Sequence, residues 1–245
     1  ALWAHYFDIH EHAQLTIPDA LLARVQGATT ATDRRYRALL ANIDAEVGRL
    51  LDELARRGRA DDTIVLLFAD HGESLGDDPR LPDRHGLVVY HALTHVPVAI
   101  RAPGVAPGTR AAPVSLIDLP PTVLGLLGAD GMEALDGVDL TDDILGAPAE
   151  LVARTRTLVM NEQEQWAVVA WPWKLLVRPA DNLTELYDLS IDPGERTDLA
   201  AREPARVKDL RGRYGWFPTV SMDRTQAGRR WRERQARPPP ARSPR

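Results

Sequence analysis

The chain has 245 residues, of which 44% are hydrophobic, and can bury a substantial core as one large domain or one domain with a small appendage. It has no cysteine, which excludes disulfides and thiolate metal sites, and no apolar run approaches the roughly 18 residues that span a bilayer. The net charge of −5 is uneven, because Arg224 to Arg245 holds eight arginines and one glutamate, a surplus of +7 that leaves −12 for the remainder.

The first half of the chain predicts a strand followed by a long helix. Leu2–His10 is rich in aromatic residues and ends in polar groups, which is typical of a buried strand. From Tyr36 to Leu54, apolar residues recur at intervals of three and four and predict one continuous helix that lies across a sheet as scaffold. We expect Thr32 or Asp33 to cap this helix and Gly58 to end it.

An unbroken apolar run at Thr63–Ala69 predicts a strand buried on both faces, the usual state of a central parallel strand. Asp70 and His71 follow at its carboxyl end, where active sites gather in open α/β sheets, and Gly72 lets the chain turn away. A carboxylate beside an imidazole can bind one cation through an oxygen and a nitrogen. The same pair can also be a turn cap and a surface histidine.

Further motifs follow this strand in a fixed order. They are the polar stretch Glu73–Asp77, a His-Gly loop leading from His85 to Tyr90, a Val-Pro strand start with a Pro-Gly turn over His95–Gly104, and a helix start at Pro113–Leu124. With Asp-His-Gly-Glu, this ordered series resembles the sulfatase family of the alkaline-phosphatase-like superfamily. The resemblance implies an α/β fold: part of a mostly parallel sheet flanked by helices, with a small C-terminal antiparallel sheet and helix.

The C-terminal part changes character. Residues 157–189 hold four short apolar runs separated by turn residues, which predicts a small antiparallel sheet, and a helix is expected at Pro204–Arg213. This part resembles the C-terminal subdomain of sulfatases, and Lys174 within it is expected to be structural. We expect three regions: 1–150 as the C-terminal half of a sulfatase-like α/β domain, 151–221 as the small subdomain, and 222–245 as a basic Pro/Arg-rich tail.

The basic tail has two interpretations. A surplus of arginine could contact nucleic acid or anionic lipid. Its proline-rich composition favours instead a solvated, disordered end. We therefore expect no nucleic-acid partner, and the sequence contains no membrane segment.

The resemblance also implies roles for individual residues. Asp70 and His71 would be metal ligands, with Ca²⁺ the family default and Mn²⁺ or Zn²⁺ left open because imidazole is a softer ligand. His10 and His85 would be catalytic and substrate-binding, donating to the sulfate or the leaving oxygen. Arg84 is the substitute for His85 in contacting the sulfate. The implied substrate is a small-molecule or glycan sulfate ester.

Two elements of the family lack counterparts in this sequence. Sulfatases carry a Cys or Ser, within Cys/Ser-x-Pro-x-Arg, that becomes the formylglycine nucleophile, and an N-terminal pair of aspartates that bind the same cation. We expect both in a missing N-terminal half, so the chain is predicted to be a fragment of a sulfuric ester hydrolase that is inactive alone. The family pattern also differs at His12, where many relatives have an aromatic residue or proline.

Other functions remain open at this point. The same scaffold serves phosphonate monoester hydrolases and phosphoethanolamine or glycerolphosphate transferases, and a plain Thr nucleophile in place of the formylglycine motif would favour them. Outside enzymes, the chain could be a non-catalytic remnant or a binding module that uses its basic tail.

Overall fold

A computed structural model describes residues 1–81, 85–86, 88–110, 112–129, 135, 137–146, 157–162 and 165–213. The helices are α1 Asp19–Leu22, α2 Ala31–Arg56, α3 His91–Thr94, α4 Leu119–Leu126, α5 Thr141–Leu145 and α6 Pro204–Arg213. The strands are β1 Val65–Phe68, β2 Val98–Arg101, β3 Thr157–Asn161, β4 Trp166–Ala170, β5 Trp173–Arg178 and β6 Leu183–Asp188. Within this described part, no helix has the length and apolarity needed to cross a membrane.

The long predicted helix is confirmed as α2, but its cap lies earlier than expected. The Thr30 hydroxyl accepts a hydrogen bond from the backbone N–H of Asp33 at 2.9 Å, so Thr30 is the cap rather than Thr32 or Asp33. The Asp33 carboxylate accepts in turn from the Thr29 N–H and from Arg37. The Arg37 hydrogen bond, followed by the Thr29 N–H, lowers the pKa of Asp33 below its usual range.

The predicted strand after this helix forms, but its partner runs in the opposite direction. β1 pairs antiparallel with β2, with Val65 opposite Arg101 and Phe68 opposite Val98. Leu67 is 49% exposed, so the strand is not buried on both faces in the described chain. The sequence did not specify this direction, because an apolar run reports a tendency to be buried and not the direction of the neighbouring strand.

The prediction of a strand at Leu2–His10 is wrong, since this segment contains no strand. Its end turns instead, and the backbone N–H of His10 donates to the carbonyl of Phe7 at 3.1 Å. The Trp3 ring meets the Phe68 ring edge-on with centroids 5.7 Å apart, so the segment lies against β1 without joining its ladder. An aromatic-rich run forms a strand only where its backbone groups find a neighbour to pair with.

Asp118 organises the predicted helix that begins near Ser115. These two residues form a capping box, and the Ser115 N–H donates to Asp118 at 2.8 Å. The other Asp118 oxygen accepts from the Val138 N–H at 2.9 Å, and Thr122 connects the Asp118 carbonyl to the Leu140 N–H. Asp118 is fully buried, and its carboxylate joins the start of this helix to the segment at Val138.

The predicted C-terminal sheet and helix are confirmed. β3, β4, β5 and β6 pair in chain order, all antiparallel. One face of this sheet packs on residues 88–93, which follow the loop after β1. The other face packs on α6, where Leu210 meets the fully buried Leu175 and Leu186. The sheet thus has a buried layer on each face. The layer that contains residues 88–93 connects it to the region after β1.

Replacement of Asp118 by alanine should lower the free energy of unfolding by about 2 kcal/mol or more, because buried N–H groups lose their acceptor. Asp44→Ala, at an exposed position in α2, is the matched control and should change it by less than about 0.5 kcal/mol. Urea unfolding followed by circular dichroism measures both. Equal, small effects would contradict the role given to Asp118.

Candidate active site

Asp70 and His71 lie on a turn that glycine holds close to α3. The backbone N–H of Gly72 donates to the Leu93 carbonyl at 2.8 Å. A Cβ atom at Gly72 would lie 2.0 Å from the carbonyl oxygen of Ala92, which is closer than any side chain can approach. Glycine is therefore required here for close backbone contact, and this contact sets where the two preceding side chains stand.

The Asp70 and His71 side chains present an oxygen and a nitrogen to the same place. The Nδ1 of His71 lies 2.8 Å from the Gly72 carbonyl, which can only accept, so Nδ1 carries the proton and Nε2 keeps a free lone pair. The Asp70 Oδ1 atom lies 3.9 Å from that Nε2. The Asp70 side chain is 74% exposed and that of His71 is 39% exposed, so both are accessible to a ligand.

Three histidines from separate parts of the chain come together at this turn. The His71 and His85 rings stack with centroids 4.3 Å apart, and the His10 ring lies 4.8 Å from His85. Phe7 stacks on His10, with ring centroids 4.5 Å apart. The structure therefore groups His10 and His85 with the Asp70–His71 pair, as a shared site requires, whereas Arg84 lies outside the described residues.

Sequence reasoning gave no role to Glu73, which is part of the same site. Its side chain is 6% exposed and accepts a hydrogen bond from the Nδ1 of His85 at 2.9 Å. Burial, and then the negative charges of Glu73 and Asp70, raise the pKa of Tyr36 above its usual value. The signal that could have identified Glu73 is its place in the Asp-His-Gly-Glu turn.

Asp70 and His71 fit part of a metal coordination shell. A carboxylate oxygen and an imidazole nitrogen with a free lone pair are ligands that divalent cations accept. Ca²⁺ takes about six to eight ligands and Zn²⁺ about four. Among the residues that the structure describes, no group of three or more His, Asp or Glu side chains is arranged to hold a metal ion. The pair therefore supplies some of the ligands and needs others.

Comparison with known proteins identifies relatives of this chain. The sequence profile described as Sulfatase matches residues 4–129. The choline-sulfatase of Rhizobium meliloti (strain 1021) is 33% identical over 176 residues, which cover 68% of this chain and 33% of that protein. The chain thus spans about a third of the length of the curated relatives it matches.

Solved structures show the same fold. BT4656, in complex with its substrate D-glucosamine-2-N,6-O-disulfate, matches with a TM-score of 0.61 and 22% identity, over 78% of this chain and 42% of that one. The phosphonate monoester hydrolase of Agrobacterium radiobacter matches with a TM-score of 0.57 and 24% identity, over 71% and 38%. These likenesses confirm the predicted fold class, an alkaline-phosphatase-like α/β fold.

Replacement of Gly72 by alanine should lower the free energy of unfolding by about 2 kcal/mol or more, because the new Cβ forces the turn away from Ala92. It should also change the ring resonances of His71 and His85 in NMR spectra. Gly48→Ala is the control, since this glycine lies in α2 with open space around it and alanine should stabilise the helix by about 0.5–1 kcal/mol. Unchanged stability and histidine spectra in Gly72→Ala would contradict the close contact.

Proposed function

The chain belongs to the sulfatase family, and on that premise we propose that it carries the metal-binding and sulfate-binding side of an active site that hydrolyses sulfate esters. The observation that carries this proposal is the grouping of Asp70, His71, His85 and His10 around one turn at the end of β1. The substrate class is a small-molecule or glycan sulfate ester, in keeping with the names of the relatives.

Asp70 and His71 are the proposed metal ligands. Two atoms bound to one cation at about 2.1–2.4 Å each lie about 3–4.5 Å apart, and the 3.9 Å between Asp70 Oδ1 and His71 Nε2 falls in that range. When bound, a divalent cation supplies positive charge that stabilises the oxygens of the sulfate group. Ca²⁺ is our first choice, and the imidazole ligand also suits Mn²⁺ or Zn²⁺.

The other two histidines are proposed to contact the substrate. Glu73 accepts the Nδ1 proton of His85, so the Nε2 atom on the opposite side of the ring is the one left to face a sulfate oxygen. His10 bonds through Nδ1 to the Glu11 carboxylate in the same way. As an imidazolium, with a second proton on Nε2, each ring can then donate that N–H to the sulfate or pass the proton to the oxygen that leaves with the alcohol, and so become neutral.

The nucleophile has no counterpart in this sequence, which contains no Cys/Ser-x-Pro-x-Arg motif. We propose that formylglycine, the family's nucleophile, comes from sequence outside residues 1–245. The chain alone should therefore turn over no sulfate ester.

We also propose that the chain is divided into regions 1–150 and 151–221, followed by the basic tail 222–245. The tail lies outside the described residues.

A second candidate is hydrolysis of a phosphonate or phosphate ester. The structural likeness to a phosphonate monoester hydrolase favours it, since the two share a fold. A cation and N–H donors that stabilise sulfate oxygens can serve phosphoryl oxygens in the same way. The identity of the nucleophile separates the candidates, because a plain Thr would indicate phosphoryl transfer.

Mn²⁺ added to residues 1–245 should broaden the NMR ring resonances of His71 first, because its Nε2 lone pair is free and Asp70 lies beside it. Asp70→Asn removes the anionic ligand and should weaken this binding by about tenfold or more. Asp44→Asn, an exposed position in α2, is the matched control and should leave the binding unchanged. Broadening that spares His71, or an equal effect of both substitutions, would contradict the proposed metal site.

A further inference from the structure

The C-terminal sheet reaches the active-site region through a fully buried ion pair. Lys174 of β5 and Glu195, in the turn region after β6, are 0% and 1% exposed, and their Nζ and Oε1 atoms lie 2.7 Å apart. Burial lowers the pKa of Lys174, and the neighbouring Glu195 charge opposes that change. Glu195 has a backbone φ of +53°, a left-handed conformation that few non-glycine residues adopt. The pair is thus held in a specific geometry.

This pair binds the backbone of the short segment that precedes α3. Lys174 donates to the Val89 carbonyl at 2.7 Å, and Glu195 accepts from the His91 N–H at 2.6 Å. The buried Gln165 side chain accepts from the Val89 N–H at 2.8 Å. Residues 89–91 are therefore anchored by side chains of the C-terminal part and not by a strand ladder.

The anchored segment leads directly to the candidate active site. It continues into α3, whose residues Ala92 and Leu93 meet Gly72 through the close contact and the 2.8 Å hydrogen bond described above. A shift of the segment would move the turn that carries Asp70 and His71.

Packing does not enclose α3 completely. A cavity of about 220 Å³ lies beside the helix, lined by residues that include His91, Ala92, His95 and Glu195. Burial, and then the charge of Lys174, lowers the pKa of His91 to about 4, so this ring stays uncharged at neutral pH next to the ion pair. An apolar pair of similar volume could fill the place of Lys174 and Glu195 with little loss of stability. Only hydrogen-bonding groups, however, specify the positions of the Val89 carbonyl and the His91 N–H.

We propose that Lys174 and Glu195 are positioning residues for the active site, which hold residues 89–91 and, through α3 and Gly72, fix the place of Asp70 and His71. The inference rests on the proposed function for what the site does. The mechanical connection itself can be tested separately.

Two double variants separate positioning from simple stability. Lys174→Met with Glu195→Leu removes the contacts to Val89 and His91 and leaves no unpaired buried charge. Lys174→Met with Glu195→Gln keeps an acceptor for the His91 N–H. Of the two backbone contacts, this variant therefore loses only the one to Val89. Leu210→Ala is the control, because it weakens the packing of α6 on the opposite face of the sheet without touching residues 89–91.

Amide hydrogen exchange of residues 1–245 gives the measurement. In the leucine variant, exchange at His91 and Gly72 should rise by about tenfold or more relative to amides of the β4–β5 ladder. In the glutamine variant, the relative exchange at Gly72 should lie between the values for the leucine variant and the wild type. In Leu210→Ala, exchange should rise in α6 and β6 while the ratio of Gly72 to the β4–β5 ladder stays unchanged.

An unchanged ratio in the leucine variant, or an equal rise in Leu210→Ala, would overturn the proposal. If the leucine variant fails to fold, the glutamine variant decides. A ratio of Gly72 exchange to β4–β5 exchange above the wild-type value supports positioning, and a ratio equal to the wild-type value overturns it. Mn²⁺ broadening of the His71 resonances, recorded in parallel, should weaken in the leucine variant. Failure of Mn²⁺ to bind the wild type would count against the proposed function. The hydrogen-exchange result would still test whether Lys174 and Glu195 position the turn that carries Asp70 and His71.

Discussion

The buried ion pair between Lys174 and Glu195 is the contact on which the arrangement of this molecule depends. It joins the four-stranded C-terminal sheet to residues 89–91, and these residues lead through α3 to the turn after β1. The sheet therefore has a role beyond closing the core, since it determines where the candidate active site lies. Hydrogen bonds help to offset the cost of burying two charges, and here both partners also bind backbone groups.

The hydrogen-bond partner of Nδ1 distinguishes the two stacked histidines at the site. His71 and His85 are stacked, and each is held through Nδ1, but His71 donates to a neutral carbonyl whereas His85 donates to the Glu73 carboxylate. A neutral imidazole with a free Nε2 suits a metal ligand, and an imidazolium stabilised by a carboxylate suits an N–H donor to an anion. Two residues of one type thus differ in their hydrogen-bond partners, and this difference supports the separate roles that we propose for them.

Sequence patterns predicted those parts of the fold that local periodicity determines, such as α6 at Pro204–Arg213 and the four strands before it. The Asp-His-Gly-Glu turn also located the site, because glycine and the paired polar residues belong to one short segment. The direction of β2 relative to β1 and the pairing of Lys174 with Glu195 were not predictable, since both depend on contacts between distant parts of the chain. Glu73, the buried partner of His85, was missed although its place in the Asp-His-Gly-Glu turn was a signal.

We propose that this chain carries one side of a formylglycine sulfatase active site. Reading the coding sequence upstream of Ala1 tests it most directly. We predict a Cys/Ser-x-Pro-x-Arg motif together with an earlier pair of aspartates that complete the metal shell begun by Asp70 and His71. A plain Thr at the nucleophile position would contradict the sulfatase assignment in favour of phosphoryl transfer. A start codon immediately before Ala1, with neither motif, would contradict an enzymatic role altogether.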